Sequence, residues 1–479
     1  MITFVIGLLI LIGGGMLYGR HCEKVFGPDD RECPAVTKAD GVDFMVLKEW
    51  KNSLINLLNI AGTGPILGAI QGILFGPVAF ITIPIGNVLA GSMHDYFSGM
   101  ISMRNGGMQM PGLIRQYMGK SVFRVYNVVV IIMMVLVGAV FTYTPGDLIV
   151  SELLGQKAVV GNPTTWIVYA FIFLYYLAAT VFPIDKIIGR IYPVFGFFLV
   201  ISAFGILSGV FLDGGAHLSN LSFQGLLGQH PDGLHFIPVF FITVACGIMS
   251  GFHATQNTLI ARTVKSEKEG RMTFYNMMTV EGLITMAWAG GAMVLFGKGT
   301  PISTNATLMV GIVSRDFLGN FGGILAIIGV IVLPITTGDT AMRGLRLIMT
   351  ELIGMKDNSS AKRLGLSFIL FIPVAAILYF AKTSPSGFSI LWRYFAFTNQ
   401  FMGIFALATI STYLFSLGKN GWISLLPGAF YTFITISFIS NAKIGLGLPW
   451  PVAYSIAIAC AVAYMLCIRK RAINKRDLK

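Results

Sequence analysis

Residues 57–65 read Leu-Leu-Asn-Ile-Ala-Gly-Thr-Gly-Pro, a break inside an otherwise apolar segment. After the break the apolar run resumes, as Ile-Leu-Gly-Ala-Ile-Gln-Gly-Ile-Leu over 66–74. Glycine lowers the cost of leaving helical geometry, and Pro65 lacks an N–H and suits the first turn of a helix. We therefore predict a helix in two halves, with freed backbone N–H and C=O groups between them.

A second break lies far along the chain, where residues 246–256 read Cys-Gly-Ile-Met-Ser-Gly-Phe-His-Ala-Thr-Gln. Taken alone, either break could be a packing glycine or a proline kink. Two broken helices of opposite direction are typical of transporters built from inverted repeats, which bind their substrates at the breaks. The matched pair favours a binding site.

Composition places the chain in a membrane. Of its 479 residues, 55% are hydrophobic and 11% are charged, and the mean hydropathy is +0.76. Soluble domains are about 25% charged, so this chain has too few charges to cover a water-exposed surface. Its 37 Phe and 16 Tyr exclude a disordered chain. The sequence predicts an all-α polytopic membrane protein.

Thirteen apolar segments are long enough to cross a bilayer core, which needs roughly 20 residues per helix. We predict transmembrane helices at 2–19, 54–75, 77–103, 122–145, 163–183, 187–212, 235–258, 273–296, 319–340, 363–381, 388–417, 421–442 and 449–468.

The net charge of +13 has an uneven distribution. Basic residues concentrate in alternate loops, at 104–124, 262–271, 343–363 and 469–476. The loops between are nearly bare, since 146–162 holds only Lys157 and 213–234 holds neither Lys nor Arg. This alternation follows the positive-inside rule, so it predicts a cytoplasmic C-terminus and an N-terminus on the other side. The positive charge indicates topology and no nucleic-acid partner.

The two breaks fix the predicted organisation, because they are five spans apart. We predict one membrane transporter domain over 1–479 with a LeuT-like 5+5 inverted repeat. Its parts are a first span with a cytoplasmic loop (1–52), repeat 1 (53–212), repeat 2 (235–417), two accessory spans (421–468) and a basic cytoplasmic tail (469–479).

Helix N-termini favour anions, so N–H groups freed at the breaks suit a substrate carboxylate. A histidine directly after the second break could bind substrate or shuttle a proton, although a buried hydrogen-bonding role is the alternative. The predicted substrate-binding residues are Gly62, Thr63, Gly64, Ser250, Gly251, His253 and Gln256.

Ionisable residues inside spans are costly and therefore candidates for ion coupling. His94 and Asp95 lie late in the third span, Glu281 lies early in the eighth, and Asp339 ends the ninth. Pairing with a loop arginine is the alternative for each carboxylate, Arg343 or Arg346 in the case of Asp339. The predicted coupling-ion residues are Asp339, Thr336, Thr337, Asp95 and Glu281.

The sequence holds no phosphate loop of the GxxxxGK[ST] type, no HExxH and no GxSxG. We predict no enzyme activity, no cofactor and no metal site. His21, Cys22 and Cys33 lack both a clear fourth ligand and CxxC spacing, so whether they hold a metal stays open.

Several long motifs give the chain a family resemblance. They are Tyr-Gly-Arg at 18–20, Val-Phe-Gly-Pro-Asp-Asp-Arg at 25–31, Asp-Gly-Val-Asp-Phe at 40–44, Gly-Thr-Gly-Pro at 62–65, Ser-Gly-Phe-His-Ala-Thr-Gln at 250–256, Glu-Lys-Glu-Gly-Arg at 267–271 with Glu-Gly at 281–282, and Leu-Pro-Ile-Thr-Thr-Gly-Asp-Thr at 333–340. With these motifs the chain resembles the carbon starvation protein A family, in a short form.

The resemblance implies a secondary transporter of the amino acid–polyamine–organocation superfamily in a bacterial inner membrane. Such proteins import peptides, or pyruvate in some relatives, under nutrient limitation. We accordingly expect import of a short peptide by alternating access, with proton coupling. A symporter of pyruvate or another small monocarboxylate with H⁺ or Na⁺ is the alternative. The expected partners are this small-molecule substrate, a proton or Na⁺, and the lipid bilayer.

Overall fold

The computed structural model describes residues 1–41, 44–181, 185–212, 215–226, 228, 230–301, 306–353 and 360–476. Residues 182–184, where the predicted fifth span meets the sixth, lie outside this part, as do the last three residues of the predicted tail. The described part is helical, with no β-strand. The all-α prediction is therefore confirmed.

We number the sixteen longer helices of the described part in chain order. They are α1 (Ile2–Phe26), α2 (Glu49–Ile60), α3 (Gly64–Phe75), α4 (79–104), α5 (Met110–Met118), α6 (Lys120–Leu153), α7 (Pro163–Val181), α8 (Asp185–Leu212), α9 (236–248), α10 (Gly251–Ile260), α11 (Glu267–Gly297), α12 (Ala306–Leu352), α13 (Ser360–Thr383), α14 (Gly387–Ser416), α15 (Trp422–Asn441) and α16 (Trp450–Arg476).

Every predicted span coincides with one of these helices or with a broken pair. Within the described residues, eight helices are each long and apolar enough to cross a membrane, and the pair α2–α3, bent by 51°, makes a ninth. The other four predicted spans lie on α4, α7, α14 and the pair α9–α10, which are shorter, broken or more polar. A multi-pass membrane protein is confirmed, and the count of thirteen spans stays a prediction.

The start of the predicted ninth span coincides with a break inside α12. Gly319 has a φ of 65° and a ψ of −174°, so two helical segments meet there within 306–352. The second segment follows Gly319, where the sequence predicts the span to begin. The first segment, from Ala306, lies outside the predicted span because Arg315 and Asp316 interrupt its apolar run.

The helices group into two compact units. Unit 1 comprises 1–129, 219–286 and 396–479, and unit 2 comprises 130–218 and 287–395. Each unit takes segments from both predicted repeats. Both helix breaks lie in unit 1, so this unit holds the predicted substrate residues.

Small residues let the helices of unit 1 approach closely, as is usual in membrane proteins. A Cβ at Gly7 of α1 would collide with the carbonyl oxygen of Phe80 in α4. A Cβ at Gly19, also in α1, would lie 3.0 Å from the ring of Tyr275 in α11. The N-terminal helix is thereby part of the packed unit.

Candidate functional site

The first break separates α2 from α3, and its residues are buried except for Gly62, which is half-buried. Ala61 leaves helical geometry with φ −80° and ψ 65°, and Pro65 stands in the first turn of α3, as the sequence predicted. The carbonyl of Thr63 accepts the N–H groups of Ile66 and Leu67, so it starts the second half-helix. The hydroxyl of Thr63 is fully buried and has no hydrogen-bond partner among the described residues. This hydroxyl is a polar group available to a ligand.

The second break separates α9 from α10 at two extended residues, Met249 and Ser250. The side chain of Asn399, from α14, lies on the N-terminus of α10. Its Oδ1 accepts the backbone N–H of Phe252 at 2.9 Å and lies 3.1 Å from the hydroxyl oxygen of Ser250. An amide oxygen thus occupies the position where the sequence predicts a substrate carboxylate.

The two breaks lie side by side within unit 1. A Cβ at Gly64 would overlap the side chain of Cys246, the residue four positions before Ser250. The freed backbone of the first break and the N-terminus of α10 therefore belong to one buried region.

Two glycines of the predicted substrate set differ sharply in the space around them. A Cβ at Gly251 would collide with the backbone of Asn399 and Gly403 in α14, whereas a Cβ at Gly62 meets no described atom within 4 Å. Overpacking against backbone costs about 1–3 kcal/mol or more. We expect Gly251→Ala to lower the thermal unfolding midpoint of the purified protein clearly, and Gly62→Ala to leave it nearly unchanged. Equal midpoints for the two variants would contradict this packing.

Four ionisable side chains from three helices meet beside the second break. Asp95 of α4 lies within hydrogen-bond distance of two imidazoles, since its Oδ1 is 2.8 Å from Nδ1 of His94 and its Oδ2 is 3.1 Å from Nδ1 of His253. Glu281 of α11 follows, with Oε2 3.7 Å from the same Nδ1 of His253. All four are at most 1% exposed. We call these residues the carboxylate–histidine cluster.

Glu281 differs from Asp95 in its partners. Both oxygens of its carboxyl group are buried and lack a hydrogen bond within the described part of the chain, as does Nε2 of His94. A buried carboxylate without hydrogen bonds is costly, so the site favours a proton, a cation or water at Glu281. Among the residues that the structure describes, no loop arginine pairs with either carboxylate, which was the alternative that their position in the sequence left open.

Asp339 lies in unit 2, where its Oδ1 is 3.6 Å from Arg343 and its Oδ2 accepts from Tyr175 at 3.4 Å. The hydroxyls of Thr336 and Thr337 both donate to the carbonyl of Leu333 in their own helix. This geometry matches the ion-paired alternative, and the coupling-ion role of the three residues stays a prediction.

In unit 1, Gln256 lies one turn after His253, with Nε2 3.4 Å from Thr255 Oγ1.

Sequence reasoning missed a buried ion pair in unit 2. Nζ of Lys382 donates to both oxygens of Asp147, at 2.8 and 2.7 Å, and to the carbonyl of Ala158 at 2.7 Å. The Tyr169 hydroxyl adds a bond of 2.5 Å to Asp147. Lys382 also lines a polar cavity of about 310 Å³ with Ser384, Ser386 and Ser389. Asp147 and Lys382 both stand near the ends of apolar runs in the sequence. A charged residue at such a position is readily interpreted as part of the adjoining loop.

Asn399 was missed as well, although the sequence held a signal. Thr398, Asn399 and Gln400 are three consecutive polar residues inside an apolar span. All three are buried, and the amide of Gln400 donates to the carbonyl of Phe241. A polar run in mid-span indicates partners on another helix, here the second broken helix.

His21, Cys22 and Cys33, whose ability to bind a metal the sequence left open, differ in exposure. Cys22 and Cys33 are buried, while His21 is exposed and stacks on Tyr18. Burial raises the pKa of the Cys33 thiol to about 11. Within the described ranges, no group of three or more His, Cys, Asp or Glu side chains is placed to hold a metal ion.

The chain combines many apolar helices with broken helices and buried ionisable residues, as membrane transporters do. Solved structures of transporters have a similar fold. A manganese transporter of Eremococcus coleocola in complex with an aromatic bis-isothiourea compound superposes with a TM-score of 0.54 over 91% of this chain and 98% of its own, at 13% identity. A mutant of the same transporter with one histidine replaced by alanine gives 0.53, covering 90% of this chain and 96% of its own, also at 13% identity. At such identities the likeness concerns the fold alone.

The chain belongs to the family described as Carbon starvation protein CstA, whose model matches residues 1–160, 144–298 and 289–438. An uncharacterized membrane protein of Haemophilus influenzae is 38% identical over 60% of this chain and 89% of its own length. Proteins named peptide transporter CstA are 24% identical in Helicobacter pylori, covering 85% of this chain and 76% of theirs, and 20% identical in Escherichia coli, covering 89% and 80%. The resemblance stated from the sequence motifs is confirmed.

Proposed function

We propose that this protein imports a small carboxylate-bearing solute, a short peptide in the first place, by alternating access coupled to proton entry. The position of His253 carries the proposal. This residue stands in the first turn of α10, directly after the second break, and its imidazole faces both buried carboxylates. One side chain thus joins the predicted substrate region to the groups able to hold a proton. The names of the peptide transporter relatives support the choice of substrate.

The substrate carboxylate binds at the paired breaks in this proposal. The N-terminus of α10 attracts an anion, and the Thr63 hydroxyl, unpartnered among the described residues, supplies a donor from the other break. Asn399 occupies this position in the structure through its Oδ1. A substrate carboxylate replaces that amide oxygen as acceptor of the Phe252 N–H.

The decisive experiment is uptake into proteoliposomes with an imposed pH gradient. Labelled alanyl-alanine is expected to accumulate only with the gradient, and unlabelled pyruvate is expected to compete weakly. If pyruvate is transported faster than alanyl-alanine, the substrate is a monocarboxylate and not a peptide. Uptake that follows a Na⁺ gradient and ignores the pH gradient would overturn the proton coupling.

Asn399→Asp tests the carboxylate site directly. A fixed anion on the N-terminus of α10 competes with the substrate carboxylate, so we expect the KM for alanyl-alanine to rise by about tenfold, a difference of about 1.4 kcal/mol. Asn162→Asp serves as the matched control, because Asn162 Oδ1 accepts the backbone N–H of Thr164 at 3.0 Å at the start of α7, in unit 2. An unchanged KM in Asn399→Asp, in protein that remains folded, would place the carboxylate elsewhere.

The thirteen-span topology and the 5+5 repeat belong to the same proposal. They are supported by the alternating basic loops and by the two compact units, each of which draws on both repeats. The protein then lies in the inner membrane with its C-terminus in the cytoplasm and its N-terminus in the periplasm. A C-terminal reporter that is active only in the periplasm would contradict this orientation.

A further inference from the structure

Four helical segments of unit 1 carry buried polar side chains on one side of the carboxylate–histidine cluster. On α4, His94, Ser98 and Ser102 follow at intervals of four residues, so they share one helix face. On α10, Asn257 stands one turn after His253. The members on α2 and at the start of α11 are Ser53, Asn56 and Thr273. All of these residues outside the cluster are buried: Ser53 is 3% exposed, and the others are fully buried.

These side chains are short of hydrogen-bond partners. Across the described chain, both the oxygen and the nitrogen of the Asn257 amide are unpartnered, as are the hydroxyls of Ser53, Ser98 and Thr273 and the amide oxygen of Asn56. Most proteins leave few buried polar atoms unsatisfied, and ordered water supplies the missing partners. Six such atoms within four segments indicate a place where water binds.

The segments pack against one another. Helix α10 contacts both α4 and α2, and the first turns of α11 contact both α2 and α4. Direct bonds join them, because Asn56 Nδ2 donates to the Thr273 carbonyl at 2.8 Å and Ser102 Oγ lies 3.4 Å from the Thr258 carbonyl. The unsatisfied atoms therefore belong to one buried polar zone.

This zone has a direction. Helices α4 and α10 run from the cluster toward residues 104 and 260. The first residues of α2 and α11 lie at that same end, because Asn52 bonds to the Thr263 carbonyl and Arg104 bonds to Glu267. There Thr263, which is partly exposed, donates to Asn52 Oδ1 at 2.7 Å. The zone thus extends from the buried carboxylates to the end that the basic loops assign to the cytoplasm.

Two arginines at that end already have partners: Arg104, the last residue of α4, and Arg262, which follows α10. Arg104 forms two bonds with Glu267, at 2.9 and 2.8 Å, and Arg262 donates to the carbonyl of Gly107 at 2.9 Å. At this end of the zone the charge of Arg104 is therefore paired with a carboxylate, and Arg262 is bonded to a backbone carbonyl.

We propose that this zone is a water-filled path by which protons leave the carboxylate–histidine cluster for the cytoplasm. The path rests on the proton coupling proposed above. Ser98 and Asn257 are positioning residues that hold its waters next to Asp95 and His253, and they are not proton carriers themselves.

The test is the double variant Ser98→Ala/Asn257→Leu in proteoliposomes. Alanyl-alanine uptake driven by a pH gradient is expected to fall at least tenfold. Exchange of labelled for unlabelled alanyl-alanine at equal concentrations needs no net proton release, so it is expected to stay within twofold of the unaltered protein. The control Ser424→Ala/Thr435→Val removes two fully buried hydroxyls that bond to backbone carbonyls in the same unit. Unchanged uptake, or an equal loss of uptake and exchange, would overturn the path.

A second measurement does not depend on transport. Ser98→Cys and Asn257→Cys are expected to react with a small, water-soluble methanethiosulfonate, as followed by the mass of the peptide that contains the new cysteine. Ser424→Cys, away from the zone, is expected to stay unmodified. Unreactive cysteines at 98 and 257 overturn the water path. Reactive cysteines in a protein indifferent to the pH gradient would instead refute the proton coupling.

Discussion

Glu281→Gln is expected to abolish the accumulation of substrate that a pH gradient drives. The amide has nearly the shape of the protonated acid, but it cannot take up or release a proton. Loss of a positioned proton carrier lowers the rate of the step that it serves by a factor of about 100 or more. Both carboxyl oxygens of Glu281 lack hydrogen-bond partners among the described residues, so the substitution breaks no hydrogen bond seen there and should spare the fold. The measurement is the initial rate of alanyl-alanine uptake with and without the gradient.

Exchange at equal substrate concentrations distinguishes the proton step from substrate binding. It is expected to survive in Glu281→Gln, because a permanently neutral side chain imitates the protonated carrier. Asp232→Asn is the matched control, since Asp232 is an exposed carboxylate whose side chain is 57% accessible. Normal driven uptake in Glu281→Gln would refute the assignment of the proton to this residue, whatever exchange shows.

The helix breaks could be predicted from sequence because their signals are local. Glycine and proline in an apolar run indicate an interruption wherever the chain later packs, and both predicted breaks are present. The carboxylate–histidine cluster shows the limit of such reasoning. Asp95, His253 and Glu281 were each predicted as functional, but their convergence depends on the packing of α4, α10 and α11. No local pattern relates residues 158 positions apart.

Charges near span ends are harder to interpret. The sequence singled out Asp339, which the structure places beside Arg343 in its own helix. It gave no prominence to Asp147 and Lys382, which are more completely buried together. A carboxylate one turn from a basic residue can be paired from sequence alone, whereas a pair between α6 and α13 requires the tertiary structure.

That buried pair leads to the largest expected effect on stability. Asp147→Asn leaves the Lys382 ammonium buried with the carbonyl of Ala158 and an amide, and removing one partner of a buried ion pair costs about 3–5 kcal/mol. We expect a loss of this size in the free energy of unfolding, measured by titration with sodium dodecyl sulfate in mixed micelles. Arg315→Met is the control. Its pair with Glu152 is partly exposed, so it is expected to cost less than about 1 kcal/mol.

The double variant Asp147→Asn/Lys382→Met decides what the pair is for. Desolvation of both charges offsets much of their attraction, so the neutral pair is expected to recover most of the stability that the single variant loses. A double variant no more stable than Asp147→Asn, or a single variant within about 1 kcal/mol of the unaltered protein, would contradict this balance. If stability recovers while uptake does not, the two charges serve transport. Lys382 also lines the polar cavity with Ala158 and Ser389.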